Sequence, residues 1–428
     1  MAALNVWKDA IASEKGKELF AKMYGSDASV YEKQKVRYSA ALASFEALFG
    51  DEQDVELFST SGRTEISGNH TDHNFGKVLA GSVDLDTLAV VSKTDTGLIR
   101  LHSEGFTPNL VSIDDLSIRE EESFHSNSLV RGICFRMREL GYNIGGFDAY
   151  SVSNVLKGSG LSSSAAFEVL VGTILNHLYN DGKISPVEIA QIGQYAENVY
   201  FGKPSGLLDQ TACSVGGFVS IDFADPKHPI VEQVSLDFAD LGYTLVITDT
   251  KGNHSELNAE YAAVATEMKS VAKALGGNVL REFTLADVLA NANHLRSECG
   301  DRAILRAVHF YHENERVDAA LAALKQKDVE TFLGCIVASG ESSWMLNQNC
   351  YTSDAREQGV TLGLAVSKEI LGNRGAYRVH GGGFAGTIQA FVPNALVDTY
   401  VDAMAALFGD DAPHKLFIRP FGSIRIEL

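Results

Sequence analysis

The stretch Val155-Leu156-Lys157-Gly158-Ser159-Gly160-Leu161-Ser162-Ser163-Ser164-Ala165-Ala166 limits what this chain can fold into more than any other. Two glycines and four serines precede apolar residues at positions 167, 170, 171, 174, 175 and 178, the spacing of one helix face. A small-residue loop therefore opens a helix. The first turn of a helix leaves backbone N–H groups without internal partners, and the helix dipole adds to their pull on an anion. A phosphate fits such a junction; taken alone, the same residues also read as a flexible linker or a serine-rich cap.

With 428 residues the chain is long for one core, and two domains are expected. Its hydrophobic content of 45% and charged content of 21% are those of a soluble globular protein. The formal net charge of −19 argues against a nucleic-acid surface, which needs clustered Lys and Arg. It leaves room for a nucleotide bound through backbone amides and Mg²⁺. Cys134, Cys213, Cys299, Cys335 and Cys350 contain no Cys-x-x-Cys pair. With no signal peptide and no apolar run approaching 18 residues, they read as reduced thiols in a cytoplasmic protein without membrane association.

Residues 1–50 carry apolar positions at helical spacing (Trp7, Ile11, Leu19, Phe20, Met23, then Tyr38, Leu42, Phe45, Leu48), with Gly25 and Gly50 as stops. Two or three helices are expected to pack outside the first domain. From Val55 to Val91 short apolar runs suggest strands. Between the first two lies Gly62-Arg63-Thr64-Glu65-Ile66-Ser67-Gly68-Asn69-His70-Thr71-Asp72-His73-Asn74, too polar for a core strand. It reads as a solvated loop or as a rigid turn that recognises sugar hydroxyls; two histidines without a third ligand make zinc the weaker reading.

Further along, Glu188 to Tyr200 reads as a helix closed by Gly202-Lys203-Pro204, and Asp209 follows, where a helix cap is the commonest role for an aspartate. A strand at Thr244–Ile247 precedes a loop holding His254, Ser255, Glu256 and Tyr261. Residues 300 to 350 are largely helical. Gly381-x-Gly383-x-x-Gly386 satisfies the bare dinucleotide pattern, but Thr387-Ile388-Gln389-Ala390-Phe391-Val392 alternates like a strand. The dinucleotide motif opens a helix, so this match is a decoy.

Gly158 to Ala165 resembles the phosphate loop of the small-molecule kinase superfamily that includes galactokinase, homoserine kinase, mevalonate kinase and phosphomevalonate kinase, with Leu156 or Lys157 in place of its proline. The polar stretch resembles the galactokinase signature Gly-Arg-x-Asn-x-Ile-Gly-Glu-His-Thr-Asp-Tyr-Asn. Gly62, Arg63, Gly68, His70, Thr71, Asp72 and Asn74 match; Glu65, Ser67, Asn69 and His73 depart, and Asn69 replaces a glutamate. Ala196-Glu197 through Asp209-Gln210 resembles a third galactokinase segment, and Gly381-Gly382-Gly383-Phe384-Ala385-Gly386 the superfamily's glycine-rich turn.

The resemblance implies an α+β, two-domain kinase fold: a helical extension at 1–50, an N-terminal mixed-sheet α/β domain at 51–225, and a ferredoxin-like α+β domain at 226–428. ATP and a sugar would meet between them. It implies ATP-dependent phosphorylation of the anomeric hydroxyl of galactose by a monomer. Gly158, Ser159, Gly160, Leu161, Ser162, Ser163, Ser164 and Ala165 would hold the nucleotide, and Ser164 with Glu197 would hold Mg²⁺. Asp209 and Arg63 would be catalytic; Asn69, His70, Asp72, Tyr261 and Gly383 would bind sugar. Asn69 in the glutamate's place predicts a weaker demand for the hydroxyl remote from the reaction, unless Asn69 faces the protein and His70 and Asp72 hold the sugar alone. A kinase for a C6- or C2-modified galactose and a non-catalytic galactose and ATP sensor are the alternatives. The intact Arg63, Asp209 and serine run weigh against the sensor.

Overall fold

A computed structural model describes residues 1–156, 160–203, 205–234, 236, 241–252 and 257–427, the side chain of 258 apart. Helices Leu4–Ala12, Glu14–Tyr24 and Ala28–Phe49 form the N-terminal extension, and Gly25 and Gly50 stop the second and third as expected. Strand Asp54–Ser67 follows and pairs antiparallel with Lys77–Thr94. Successive side chains of a strand point to opposite faces, and this alternation divides the residues between two cores. Leu57, Leu88 and Val90 pack with Trp7, Phe20, Leu42 and Phe45 of the extension. Phe58, Ala89 and Val91 pack with Ile133, Leu170 and Ile174 on the other face, under helices Ser126–Glu139 and Ser163–Tyr179.

Among the described residues the first sheet has nine strands, and Leu98–Ser103 with Gly146–Ser153 makes it mixed, since that pair is parallel. The second sheet, Ala376–His380, Thr387–Pro393, Tyr243–Asp249 and Pro413–Leu416, is antiparallel throughout. Long helices Asn258–Ala274, Asp301–Gln326 and Val329–Ser342 accompany it. The chain end then crosses back, and Ser423–Arg425 pairs with Asp54–Ser67. The two sheets therefore do not separate at residue 225 as a single cut along the chain would have them. No helix among the described residues is long and apolar enough to cross a membrane.

Gly62 to Ser67 is not a loop but the second half of strand Asp54–Ser67, and it is buried throughout. Its polar side chains are enclosed because the facing hairpin is polar too. Gln389 donates to the Thr64 hydroxyl at 2.6 Å and to the Glu65 carbonyl at 3.0 Å. Arg378 donates to the carbonyls of Glu65 and Ile66, and Glu65 N–H donates to His380 Nε2 at 3.2 Å. Burial of polar groups is tolerated when each finds a partner, and here the two sheets supply them to one another. The turn proper starts at Gly68, with His70 and Phe75 at positive φ.

Candidate active site

Arg63 projects from this strand and Asp209 from the first turn of helix Leu208–Val215. The guanidinium meets Asp209 Oδ1 through Nε at 2.8 Å and a terminal nitrogen at 2.6 Å, and also donates to the Gly160 carbonyl. The Ser162 hydroxyl donates to Asp209 Oδ2 at 2.6 Å. Asp209 is thus not acting as a helix cap. Burial alone would raise its pKa, but Arg63, the Ser162 bond and Lys203 outweigh that and hold the carboxyl below the ordinary 3.8. The side chain keeps 37% of its surface exposed, so it can reach a substrate. Gly62 is needed beside it: a Cβ there would come within 2.9 Å of the Leu161 carbonyl, which accepts the Arg63 N–H.

Helix Ser163–Tyr179 starts where the serine run predicts, with Ser162 at φ 62° as its cap residue. Ser163 and Ser164 line a cavity of about 570 Å³ with Asn109, Leu129, Asn154, Leu156 and Phe167. The serines thus join two sites, Ser162 reaching Asp209 while its two successors face the larger cavity. Leu161 and Ala165 keep their side chains in the core, so only their backbones are available to a phosphate. Gly158 and Ser159 lie outside the described residues, as do His254, Ser255 and Glu256. The far wall of the large cavity was missed from sequence, because Asn109, Leu129 and Asn154 belong to no motif.

On the other side of Asp209 a smaller cavity of about 130 Å³ is lined by Arg63, Glu65, Gly68, His70, Asp72, His73, Leu208, Asp209, Gly381 and Gly382. His70 bonds the Gly382 carbonyl through Nε2 at 3.0 Å, and burial lowers its pKa. The ring is therefore neutral, with its proton on Nε2 and an acceptor at Nδ1. Helix Asp301–Gln326 anchors the turn from behind, since the Glu313 carboxylate accepts the Gly68 N–H at 2.9 Å. Glu313 is buried, which would raise its pKa, but His309, Arg316 and Arg378 draw it well below the ordinary 4.5. No motif marks it.

The expectation for Asn69 as a reader of the sugar fails. Its side chain is fully enclosed. The amide nitrogen donates to Glu65 Oε1 at 2.9 Å and the Gly381 carbonyl at 2.8 Å. Its oxygen accepts from Asn349 Nδ2 at 2.8 Å and the Ser343 hydroxyl at 3.2 Å. An amide has two donor hydrogens and two acceptor lone pairs, and all four are used inside the protein. Tyr261 and Gly383 also stand behind the cavity rather than in its lining: the Tyr261 hydroxyl donates to the Gly383 carbonyl at 2.9 Å. Gly383 has φ 85°, and any side chain there would collide with the Asn349 carbonyl. The glycine-rich turn links strands Ala376–His380 and Thr387–Pro393 as a hairpin, as the alternation after it implied.

Glu197 lies in a π-helical turn, Ala196–Phe201, that extends helix Pro186–Tyr195. Lys203 donates to its Oε1 and Gln210 to its Oε2, each at 2.8 Å. Gln210 also donates to Glu168 at 2.9 Å, one helical turn beyond Ser164. Burial and the neighbouring Glu197 push Glu168 well above the ordinary 4.5, and its Oε1 is buried without a hydrogen bond.

A serine-rich helix start beside a cavity of about 570 Å³, with an Arg–Asp pair between it and a polar pocket, is the arrangement that a small-molecule kinase needs. Residues 127–217 match the family described as GHMP kinases N terminal domain, and residues 43–93 match the galactokinase galactose-binding signature. The galactokinase of Streptomyces coelicolor is 32% identical over 85% of this chain and 91% of its own length. That of Clostridium tetani is 29% identical over 82% and 87%. The structure of Lactococcus lactis galactokinase complexed with galactose is similar at a TM-score of 0.76 and 26% identity, covering 91% of this chain and 100% of that one. The chain belongs to the galactokinase family and is an ATP-dependent sugar kinase.

Proposed function

We propose that the acceptor is galactose, bound in the cavity of His70, Asp72 and Asp209 and phosphorylated on its anomeric hydroxyl. The observation that carries this reading is Ser162, which bonds Asp209 while the serines that follow it line the larger cavity. Nucleotide and sugar sites are thereby held one residue apart. ATP would lie in the larger cavity with its phosphates on the N–H groups of Ser163, Ser164 and Ala165. Phosphoryl transfer has a loose transition state, so positioning and charge stabilisation supply most of the catalysis. Asp209 is ionised at neutrality and accepts a hydrogen bond from the anomeric hydroxyl, aligning it for attack. A carboxylate held below 3.8 is a weak base, so it takes the proton only as the new O–P bond forms. Arg63 keeps Asp209 ionised and presents positive charge to the transferring group.

Ser164 and Glu197 would be the residues to hold Mg²⁺, which takes one or two protein oxygens beside waters and phosphates; Ser164 lines the larger cavity, and Glu197 would first have to exchange Lys203 or Gln210 for the ion. Glu168, pushed towards its neutral form by burial and by Glu197, adds no charge for the ion, and among the described residues no group of three or more His, Cys, Asp or Glu side chains could hold a metal ion. The ion would neutralise phosphate charge when bound. The five cysteines are all unpaired, which suits the reducing cytoplasm. A coupled assay for ADP over a panel of sugars tests the acceptor; galactose should give the highest kcat/KM. Release of ADP with another hexose but not galactose would overturn the choice of sugar.

A further inference from the structure

The signature that this chain resembles has asparagine where Glu65 stands and glutamate where Asn69 stands, so acid and amide have changed places. In the structure the two side chains touch, Asn69 Nδ2 donating to Glu65 Oε1 at 2.9 Å. Asn69 has no capacity left for a ligand. A glutamate there would set a carboxylate against the Gly381 carbonyl, where the amide now donates.

Glu65 is placed differently. It lines the small cavity with Arg63 and Asp209. Its Oε1 is held by Asn69 and by an ion pair with the fully buried Arg378 at 3.0 Å. Its Oε2 has no hydrogen bond among the described residues. Its main chain is bonded on both sides, N–H to His380 and carbonyl to Gln389 and Arg378, so the carboxylate is rigidly aimed. Arg63 and Glu65 are two residues apart on one strand and share a face, which separates them along it by about 7 Å. That distance sets Glu65 across a sugar ring from the group that Arg63 and Asp209 address.

We propose that Glu65 Oε2 is the charged acceptor of the sugar cavity, reading one hydroxyl remote from the reacting one. This rests on the reading of the cavity as the sugar site. The same carboxylate shares the cavity with Asp72 and Asp209 and disfavours sugar acids, whose charge would oppose it. Galactose therefore binds where galacturonate does not.

The test crosses an enzyme change with a substrate change. Glu65→Gln keeps the shape but removes the charge, and kcat/KM is measured for galactose and its 2-, 3-, 4- and 6-deoxy derivatives. A hydrogen bond to a charged group is the strong kind, so Glu65→Gln should lower kcat/KM for galactose about 10-fold or more, chiefly through KM. The loss should persist for every deoxy sugar except one, for which it should vanish. Glu65→Asp keeps the ion pair with Arg378 and shortens the reach. It should show the same single-hydroxyl dependence and carries the test if Glu65→Gln fails to fold. Equal losses on all four deoxy sugars, or none on galactose, would overturn the assignment. Should the wild-type enzyme ignore galactose, the choice of acceptor falls, and the same comparison on the sugar it does phosphorylate still decides the role of Glu65.

Discussion

Replacing Asp209 with asparagine separates a positioned catalytic group from a structural one. The carboxylate makes three close contacts, two from Arg63 and one from Ser162. Asparagine keeps one oxygen for either partner and turns an NH₂ towards the other, so the Arg63 charge loses its counterion and the anomeric hydroxyl loses its charged acceptor. A positioned acid or base contributes about 10²- to 10⁴-fold, and the lower figure corresponds to about 2.7 kcal/mol of transition-state stabilisation. Asp209→Asn should therefore lower kcat by about 100-fold or more. The sugar KM should stay within about threefold, because His70, Asp72 and Glu65 still line the cavity. Steady-state ADP release at saturating ATP, with a thermal melt as a folding control, measures both. A variant that melts like the wild type and keeps its kcat would refute the role given to Asp209. A rise in KM with unchanged kcat would make it a binding residue only.

Asn69→Glu should destabilise the protein by about 3 kcal/mol, since it buries a charge facing the Glu65 carboxylate and the Gly381 carbonyl; an unchanged melting temperature with altered sugar selectivity would return residue 69 to the sugar site. Asp86 is fully buried between Arg37 at 2.6 Å and Arg419 at 3.2 Å, and accepts from Tyr24 at 2.7 Å, which ties the N-terminal extension to the chain end. Asp86→Asn should cost about 3 to 5 kcal/mol by leaving the buried Arg419 and the partly buried Arg37 without a carboxylate, and a denaturant titration shows it. Burial would raise the Asp86 pKa, but Arg37, Arg419, Ser59 and Tyr24 draw it below 3.8. Its stabilisation is thus complete above the unfolded value and lost as pH falls through the lower folded one. Wild-type stability should show this acid loss below about pH 4 and Asp86→Asn should not.

The helices at 1–50, the helix opened by the serines and the hairpin at the glycine turn were legible because each rests on local chemistry: apolar spacing, caps, and glycines at positive φ. The buried strand at Gly62–Ser67 was not, since Thr64, Glu65 and Ser67 read as surface residues until the partners that enclose them, Arg378, His380, Gln389 and Glu313, arrive from more than 240 positions away. Arg63 and Asp209 could be named from the resemblance, yet which side chains line the small cavity beside them could not. Asn69 and Glu65 lie four residues apart, and only the fold shows that one is enclosed and the other lines the cavity. Glu313 and the far wall of the larger cavity carry no pattern because their positions exist only in three dimensions.

In the proposed mechanism Asp209 directs phosphate from ATP onto the anomeric hydroxyl of galactose. Phosphorus NMR of a reaction containing the protein, Mg-ATP and galactose should show a sugar phosphate whose phosphorus couples to the anomeric proton, formed in step with ADP and absent with Asp209→Asn. A phosphate at any other carbon, or the same product from Asp209→Asn at the wild-type rate, would contradict it.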